Sequence, residues 1–408
     1  MNRDKLKERI KYWSQLLLLP VYGFSFLVPR DKKIWLFGST FGRRFADNPR
    51  YFYLYLCGHP EEEICPVWIS HNKEIIEFLN THGKKAYYYR SLRGIWYCLR
   101  AKVYLYDNYS KDISFWLSGG AVKFNLWHGT GNKKANHDNI FDKVRHPKNL
   151  WERWKTFPRR LSDEKPYHYT LATSEPLAYI TSSAFNTPLS HVVIDGYPRN
   201  DAMLNDSFSK LCTEAEKDIS KRIDMWKADG FKIDFYMPTF RDSESDFFQI
   251  MNLPVFDEFL EKEKIKFVVK LHPKSKLKKE FSRLNYRNIY NVDGNIDPYI
   301  FMNKVDVLTS DYSSVYSDFM LLDRPVVAFH YDYEKYHNQT RDEYVPFDEY
   351  MPERKAATMD ELMAATLEVL QMDTHKTQRK VSRDRMFLYQ DAGSAKRLTA
   401  KIRHILEQ

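Results

Sequence analysis

The stretch Thr309-Ser310-Asp311-Tyr312-Ser313-Ser314-Val315-Tyr316-Ser317-Asp318-Phe319 decides how the chain is read. It follows the apolar run Val305-Asp306-Val307-Leu308, which reads as a buried strand, and it leads into the helix-like Met320-Leu321-Leu322. Asp311, Ser313 and Ser314 therefore fall at a strand-to-helix turn. Small hydroxyls and the orphan N–H groups of a helix N-terminus favour an anion, because the donors and the helix dipole point the same way. A phosphate of a nucleotide donor would suit this turn. The plain alternative is that Ser313 or Ser314 only caps the helix.

Working outward, the same unit recurs. Short apolar runs at 34–37, 67–69, 86–89, 103–106, 122–126, 169–172 and 192–194 read as strands, with helical patterns at 49–57, 73–82 and 91–99 between several of them. Residues 201–230 are polar and helical and read as a connector. A second series of strands follows at 233–237, 267–271, 289–292, 305–308 and 326–329, with helical patterns at 256–264, 276–282, 298–303 and 314–321. After residue 348 the chain reads as mostly helical, ending in 359–370 and 395–407. Alternating strands and helices predict βαβ units on parallel sheets. The fold class is therefore α/β, with two Rossmann-like domains, a cleft between them and C-terminal helices able to cross back. That is the architecture called GT-B. The boundaries fall at 1–30 for an N-terminal segment, 31–205 for the first domain and 206–408 for the second. Ligands in such folds bind at the carboxyl ends of the strands.

Composition bounds the function. A chain of 408 residues is long enough for two ordinary domains. A net charge of +9 implies an affinity for anions: nucleic acid, an anionic membrane or phosphorylated substrates. The basic residues are dispersed, with no Arg-rich tail, so nucleic acid is the weakest of these. Cys57, Cys65, Cys98 and Cys212 form no C-x-x-C pair, which suits a reduced, cytosolic protein without a thiolate metal site. Near the N-terminus, Lys5, Lys7, Arg9 and Lys11 precede an apolar run from Trp13 to Val28 that Pro20 and Gly23 interrupt. The run is shorter than the roughly 20 residues that a spanning helix needs. It also lacks the small-residue cleavage site of a signal peptide. Basic flanks around it suit an element lying in a membrane interface, the alternative being a helix packed on the protein's own surface.

Five clusters carry candidate chemistry, each just past a predicted strand. In Leu126-Trp127-His128-Gly129-Thr130-Gly131-Asn132-Lys133-Lys134, a neutral His128 could take a proton from an attacking hydroxyl, and the lysines could hold phosphate. The glycines complete neither G-x-G-x-x-G nor a P-loop, and a structural turn histidine is the alternative. In Gly196-Tyr197-Pro198-Arg199-Asn200-Asp201, Arg199 could reach a phosphate, while Asn200 and Asp201 could simply cap a helix. Met237-Pro238-Thr239-Phe240-Arg241-Asp242 offers Arg241 for a bidentate phosphate contact, or as a plain surface arginine. Lys270-Leu271-His272-Pro273-Lys274 sets His272 between two lysines. The opening stretch is the fifth. No D-x-D occurs, which argues against an enzyme that holds a metal–nucleotide pair. His128, His137 and His146 lie nine apart, unlike the short spacings of structural zinc sites. No metal and no cofactor is expected.

In this order, the clusters resemble the CDP-glycerol glycerophosphotransferase family, the primases and polymerases of teichoic acid and related capsule polymers. The matching residues are Trp127-His128-Gly129-Thr130, Gly196 to Asp201, Pro238 to Asp242, His272-Pro273, Thr309 to Ser314, Asp323-Arg324-Pro325 through Tyr336, and Asp47-Asn48-Pro49-Arg50-Tyr51. The resemblance implies a transferase at the cytoplasmic face of the cell membrane, bound peripherally. It would move glycerol phosphate from CDP-glycerol to a hydroxyl of a lipid-linked acceptor. The first domain would take the acceptor and the second the CDP donor. His128 would be the general base. His272, Arg241, Ser313 and Ser314 would hold the pyrophosphate, with Lys274, Arg199 and Thr130 as further substrate contacts. Asp311 would orient its loop or assist a histidine. Gly131-Asn132 stands where the family more often has Pro and an apolar residue, and Phe240 replaces the commoner Trp. The alternatives are the same fold using CDP-ribitol or a nucleotide sugar, and a non-catalytic nucleotide- or lipid-binding subunit of a surface-polymer complex.

Overall fold

A computed structural model describes residues 12–163, 168–206, 211–239, 247–272, 285–334 and 342–408, together with 8, 10, 275, 277–281 and 283. Two sheets organise them. The first contains β1 (Asp31–Gly38), β2 (Cys65–Ser70), β3 (Ala86–Tyr88), β4 (Ala101–Tyr106), β5 (Val122–Asn125), β6 (Tyr169–Ala172) and β7 (Val192–Ile194). Its order is β3-β2-β1-β4-β5-β6-β7. The second contains β8 (Lys232–Tyr236), β9 (Ile265–Lys270), β10 (Ile289–Val292), β11 (Val307–Ser310), β12 (Val326–Phe329) and β13 (Arg354–Ala356), in the order β10-β9-β8-β11-β12-β13. Every pairing is parallel. This is the doubly wound arrangement twice over. The strand order reverses between β1 and β4 in one half and between β8 and β11 in the other, and ligands gather at such points.

The strands form where apolar and β-branched residues run together with both faces covered. All six residues of β9, Ile265 to Lys270, are buried. Helices cover the faces, and one apolar cluster runs from Trp35 and Phe52 in the first half through Leu308 and Phe319 in the second to Leu398 and Ile402 near the C-terminus. Each such side chain taken fully from water contributes about 1.5–3 kcal/mol.

Two differences from the sequence reading have simple causes. The strand expected at 305–308 runs at Val307–Ser310, because it pairs with β8 and β12 as far as Thr309 and Ser310. The strand β13 falls within the region read as helical. It is a three-residue edge strand, Arg-Lys-Ala, whose charged residues carry no β signal but suit a sheet edge.

The last helix, Ser394–Glu407, does cross back to the first half. Asp201, in the helix Pro198–Leu204, accepts hydrogen bonds from its first N–H groups, Ser394 N at 3.0 Å and Ala395 N at 2.7 Å. Two buried arginines bolt the halves together. Arg50 meets Glu216 through both terminal nitrogens, at 2.7 and 3.0 Å. Arg199 meets Asp47 at 2.7 Å and Asp318 at 2.5 Å. Breaking either pair would leave a buried charge uncompensated, at a cost of about 3–5 kcal/mol.

Candidate functional site

The carboxyl ends of both sheets face one cleft of about 1100 Å³. Its rims are tied across. On one, Arg44 donates to the Asn295 carbonyl at 2.8 Å. On the other, Asn132 donates to the Val345 carbonyl at 2.7 Å and accepts from Val345 N at 3.1 Å, beside an antiparallel bridge between Lys133 and Glu343. The Asn132 amide thus mimics backbone pairing between the halves.

His128 stands two residues beyond Leu126, which continues the line of β5 and pairs with the Tyr106 carbonyl. The intervening Trp127 adopts a left-handed φ of 53°, a conformation that costs energy for a bulky residue and persists only when its surroundings fix it. Asn48 supplies that constraint by donating to the Trp127 carbonyl at 2.8 Å, and Asn125 Oδ1 accepts from Trp127 N at 2.9 Å. The indole packs on Phe185, with ring centroids 4.6 Å apart. His128 Nδ1 lies 3.0 Å from the Asp107 carbonyl. A carbonyl only accepts, so Nδ1 carries the hydrogen, and Nε2 is the basic position when the ring is neutral.

Behind His128 lies a buried acidic pair, Asp107 and Asp112. Asp107 accepts from Ser39 Oγ and from Thr40 N, the latter at 3.0 Å, and Asp112 accepts from Phe41 N at 2.8 Å. Thr40 and Phe41 both have left-handed φ, so the two carboxylates pin a strained loop after β1. Burial first, and then the neighbouring Asp107 charge, push the Asp112 carboxyl well above the usual range. Burial also pushes Asp47 up to about 6, against the pull of Arg199.

The second half supplies the other wall. Asp311 is fully buried, and its carboxylate accepts from Thr239 N and Thr239 Oγ1, both at 2.8 Å. It thereby ties the loop after β11 to the loop after β8. Ser313 and Ser314 line the cleft, as does the exposed His272. Ser314 occupies the N-cap position of the helix Val315–Phe319 but makes no side-chain cap, so the hydroxyl is not spent on closing the helix. The loops of the two halves meet here. A Cβ added at Gly129 would lie 2.6 Å from Ser314 Oγ, so only glycine permits this approach.

Other expected contacts differ. Arg199 does not line the cleft. Its side chain is 2% exposed, and its nitrogens serve Asp47, Asp318 and the His128 carbonyl, the last at 2.7 Å. Its guanidinium is thus enclosed beneath the histidine loop and braces it. The Thr130 hydroxyl bonds to Thr173 and Tyr197, at 3.4 and 3.3 Å, while its carbonyl accepts from Ser317 and Tyr350 of the second half. Arg241 and Lys274 lie outside the described residues. Among the described residues, no group of three or more His, Cys, Asp or Glu side chains could hold a metal ion. Sequence reasoning missed Thr239 as the partner of Asp311 and the pair Asp107–Asp112. Thr239 and Asp107 stand just past predicted strands, whereas Asp112 carries no such signal.

Known proteins share this organisation. The model of a family described as CDP-Glycerol:Poly(glycerophosphate) glycerophosphotransferase matches residues 21–404. The chain is 26% identical over 377 residues to a teichoic acid poly(glycerol phosphate) polymerase of Bacillus spizizenii, a match covering 88% of this chain and 90% of that one. It is 24% identical over 346 residues to a teichoic acid glycerol-phosphate transferase of Staphylococcus aureus, covering 81% and 84%. Among solved structures, the wall teichoic acid polymerase TagF superposes with a TM-score of 0.69 at 18% identity, over 100% of this chain and 99% of that one.

Proposed function

Because the chain belongs to the CDP-glycerol:poly(glycerophosphate) glycerophosphotransferase family, we propose that its cleft transfers glycerol phosphate from CDP-glycerol to a hydroxyl of a lipid-linked acceptor in teichoic acid synthesis. The acceptor oxygen forms a bond to the glycerol-bearing phosphorus, and the bond from that phosphorus to the bridging oxygen breaks. CMP leaves with the electron pair. The hydroxyl proton passes to His128 Nε2. Phosphoryl transfer asks an enzyme mainly to position groups and neutralise charge. In this reading Ser313, Ser314 and His272 receive the departing CMP phosphate, Arg241 keeps the donor role that the resemblance implies, and Lys274 remains a further substrate contact. Asp311 holds their loop through Thr239. Arg199 and Thr130 position the histidine loop rather than touch substrate.

The observation that carries this reading is the meeting of Gly129 and Ser314 across the cleft, which brings a basic imidazole and a hydroxyl-lined turn to one place. A membrane-borne acceptor fits a second feature. The helix Leu150–Asp163 exposes Leu150, Trp151 and Trp154, and Trp154 packs on Trp13 with ring centroids 4.3 Å apart. Leu17, Phe24 and Leu27 are exposed on the same N-terminal segment. Apolar and indole side chains beside Arg153 and Lys155 suit the interface of an anionic bilayer. No helix among the described residues is long and apolar enough to cross a membrane.

The test is incubation with CDP-glycerol and a lipid-linked disaccharide in vesicles, with mass analysis of the product. A mass gain of one or more glycerol phosphate units is expected. Turnover only with CDP-ribitol or a nucleotide sugar would reject the donor. In the same assay, the paired substitution Trp151→Ser and Trp154→Ser should slow transfer to vesicle-borne acceptor and spare a soluble analogue. Equal rates on both would reject the membrane surface.

A further inference from the structure

A basic cluster at the edge of the cleft takes no part in the chemistry above. It gathers where β1, β2 and β3 end. Gly42, in the loop after β1, lies against the ring of His71, the residue after β2. A Cβ at Gly42 would stand 2.5 Å from His71 Cδ2, and its φ is +74°, so glycine alone allows this contact. His71 N donates to the Gly42 carbonyl at 2.7 Å. The imidazole stacks on Tyr89, with ring centroids 3.8 Å apart, and Arg90 Cζ lies 5.0 Å from the same tyrosine ring. Arg43 follows Gly42, is exposed and lines the cleft. Arg90 is exposed too, and neither arginine meets a carboxylate among the described residues.

His71 Nε2 lies 3.0 Å from the Ile113 carbonyl, so that nitrogen carries the hydrogen. Nδ1 is then a bare lone pair in the neutral ring, unbonded and not enclosed. Partial burial first, and then the Arg43 and Arg90 charges, hold the imidazole below its ordinary value, against the Ile113 hydrogen bond. Other charged groups nearby do not offset the arginines. Lys73 Nζ sits 5.6 Å from the ring of Tyr88, which meets Tyr89 edge-on. Glu74 is exposed and exerts no pull on His71. Asp112, beside Ile113, turns its carboxyl to Phe41 N and Asn108 N, at 2.8 and 2.9 Å. Cations gathered without a carboxylate favour an anion.

The geometry points to an oxyanion site at the cleft's edge: Arg43, Arg90 and His71 bind a phosphate group of the acceptor, and Nδ1 takes a proton from solvent as that group binds. This rests on the functional reading above, in which the acceptor is lipid-linked. Guanidinium forks match phosphate oxygens. A neutral His71 presents a lone pair that repels the same oxygens, whereas the protonated ring donates to them. Phosphate binding and protonation therefore strengthen each other.

The ring of His71 reports this directly. In protein with isotope-labelled histidine, its NMR titration is assigned by loss of the signal in His71→Gln, a variant that keeps an amide donor for the Ile113 carbonyl. Adding bis(glycerol) phosphate, a diester whose charge does not change near neutral pH, should move the His71 midpoint to higher pH. In Arg43→Gln and Arg90→Gln the free midpoint should already stand higher, because a repelling charge is gone, and the diester should move it less. An unmoved midpoint in the parent overturns the site, as does an equal move in the arginine variants. Three acceptors then identify the phosphate: a lipid diphosphate-linked disaccharide, a glycerol phosphate-ended saccharide on a phosphate-free anchor, and a neutral saccharide on that anchor. Both arginine variants should raise KM about 10-fold for a phosphate-bearing acceptor and leave the neutral one unchanged. A rise for the first alone assigns the site to the carrier's diphosphate, and a rise for the second alone to a phosphodiester of the chain. An equal rise for the neutral acceptor, or none for any, overturns the acceptor assignment. If the parent transfers nothing from CDP-glycerol, the functional reading falls, while the His71 midpoint still decides the oxyanion site without turnover.

Discussion

The two halves solve the same construction problem with different chemistry. In each, an aspartate follows the strand at which the strand order reverses: Asp107 after β4 and Asp311 after β11. Each reaches sideways to the loop after the neighbouring central strand, Asp107 to Ser39 and Thr40 after β1, and Asp311 to Thr239 after β8. The halves part company beyond that point. Asp107 is joined by a second buried carboxylate, Asp112, and its own carbonyl holds His128. Asp311 is followed by the hydroxyls of Ser313 and Ser314 at a helix start. A wall that is rich in carboxylates favours a group that gains a proton, whereas a wall of hydroxyls and N–H groups favours a group that gains negative charge. The scaffold repeats and the flanking residues divide the labour.

The sharpest way to break this comparison is His128→Ala. A positioned base contributes about 10²- to 10⁴-fold, so kcat should fall by that order while CDP-glycerol still binds. Retained turnover would remove the base from the first half. Next come the two anchors. Asp311→Ala frees Thr239 from its hydrogen bonds to a charged group, worth about 1.5–3 kcal/mol, and should raise KM for CDP-glycerol about 10-fold. Asp107→Ala should instead lower kcat. If both variants act on KM alike, the halves do not divide the work. The smallest effect concerns pH. The raised Asp112 carboxyl binds its proton more tightly in the folded chain than in the unfolded one. Its contribution to stability is therefore complete below about pH 4 and is lost as pH rises through the folded value. Asp112→Asn cannot ionise, so urea-unfolding free energies should fall less from pH 4 upward than in the parent. Parallel curves would show that the fold does not raise the Asp112 carboxyl.

Much of this was legible in the sequence. Strand positions follow from apolar runs, and the candidate residues His128, His272 and Asp311 stand out by lying just past them. Ser313 and Ser314 lie at the predicted turn. What escaped depends on partners distant in sequence. Arg199 reads as a phosphate ligand until Asp47 and Asp318, 152 and 119 positions away, enclose it. A short charged edge strand such as β13 is specified by its neighbour's backbone rather than by its own residues.

The return of the last helix has a consequence for how the chain is made. Leu398 and Ile402 complete an apolar cluster that includes Trp35 and Phe52. On the ribosome those early residues emerge hundreds of positions before their cover. The first half therefore completes its packing only after the second half has emerged, and neither half reaches its native core alone.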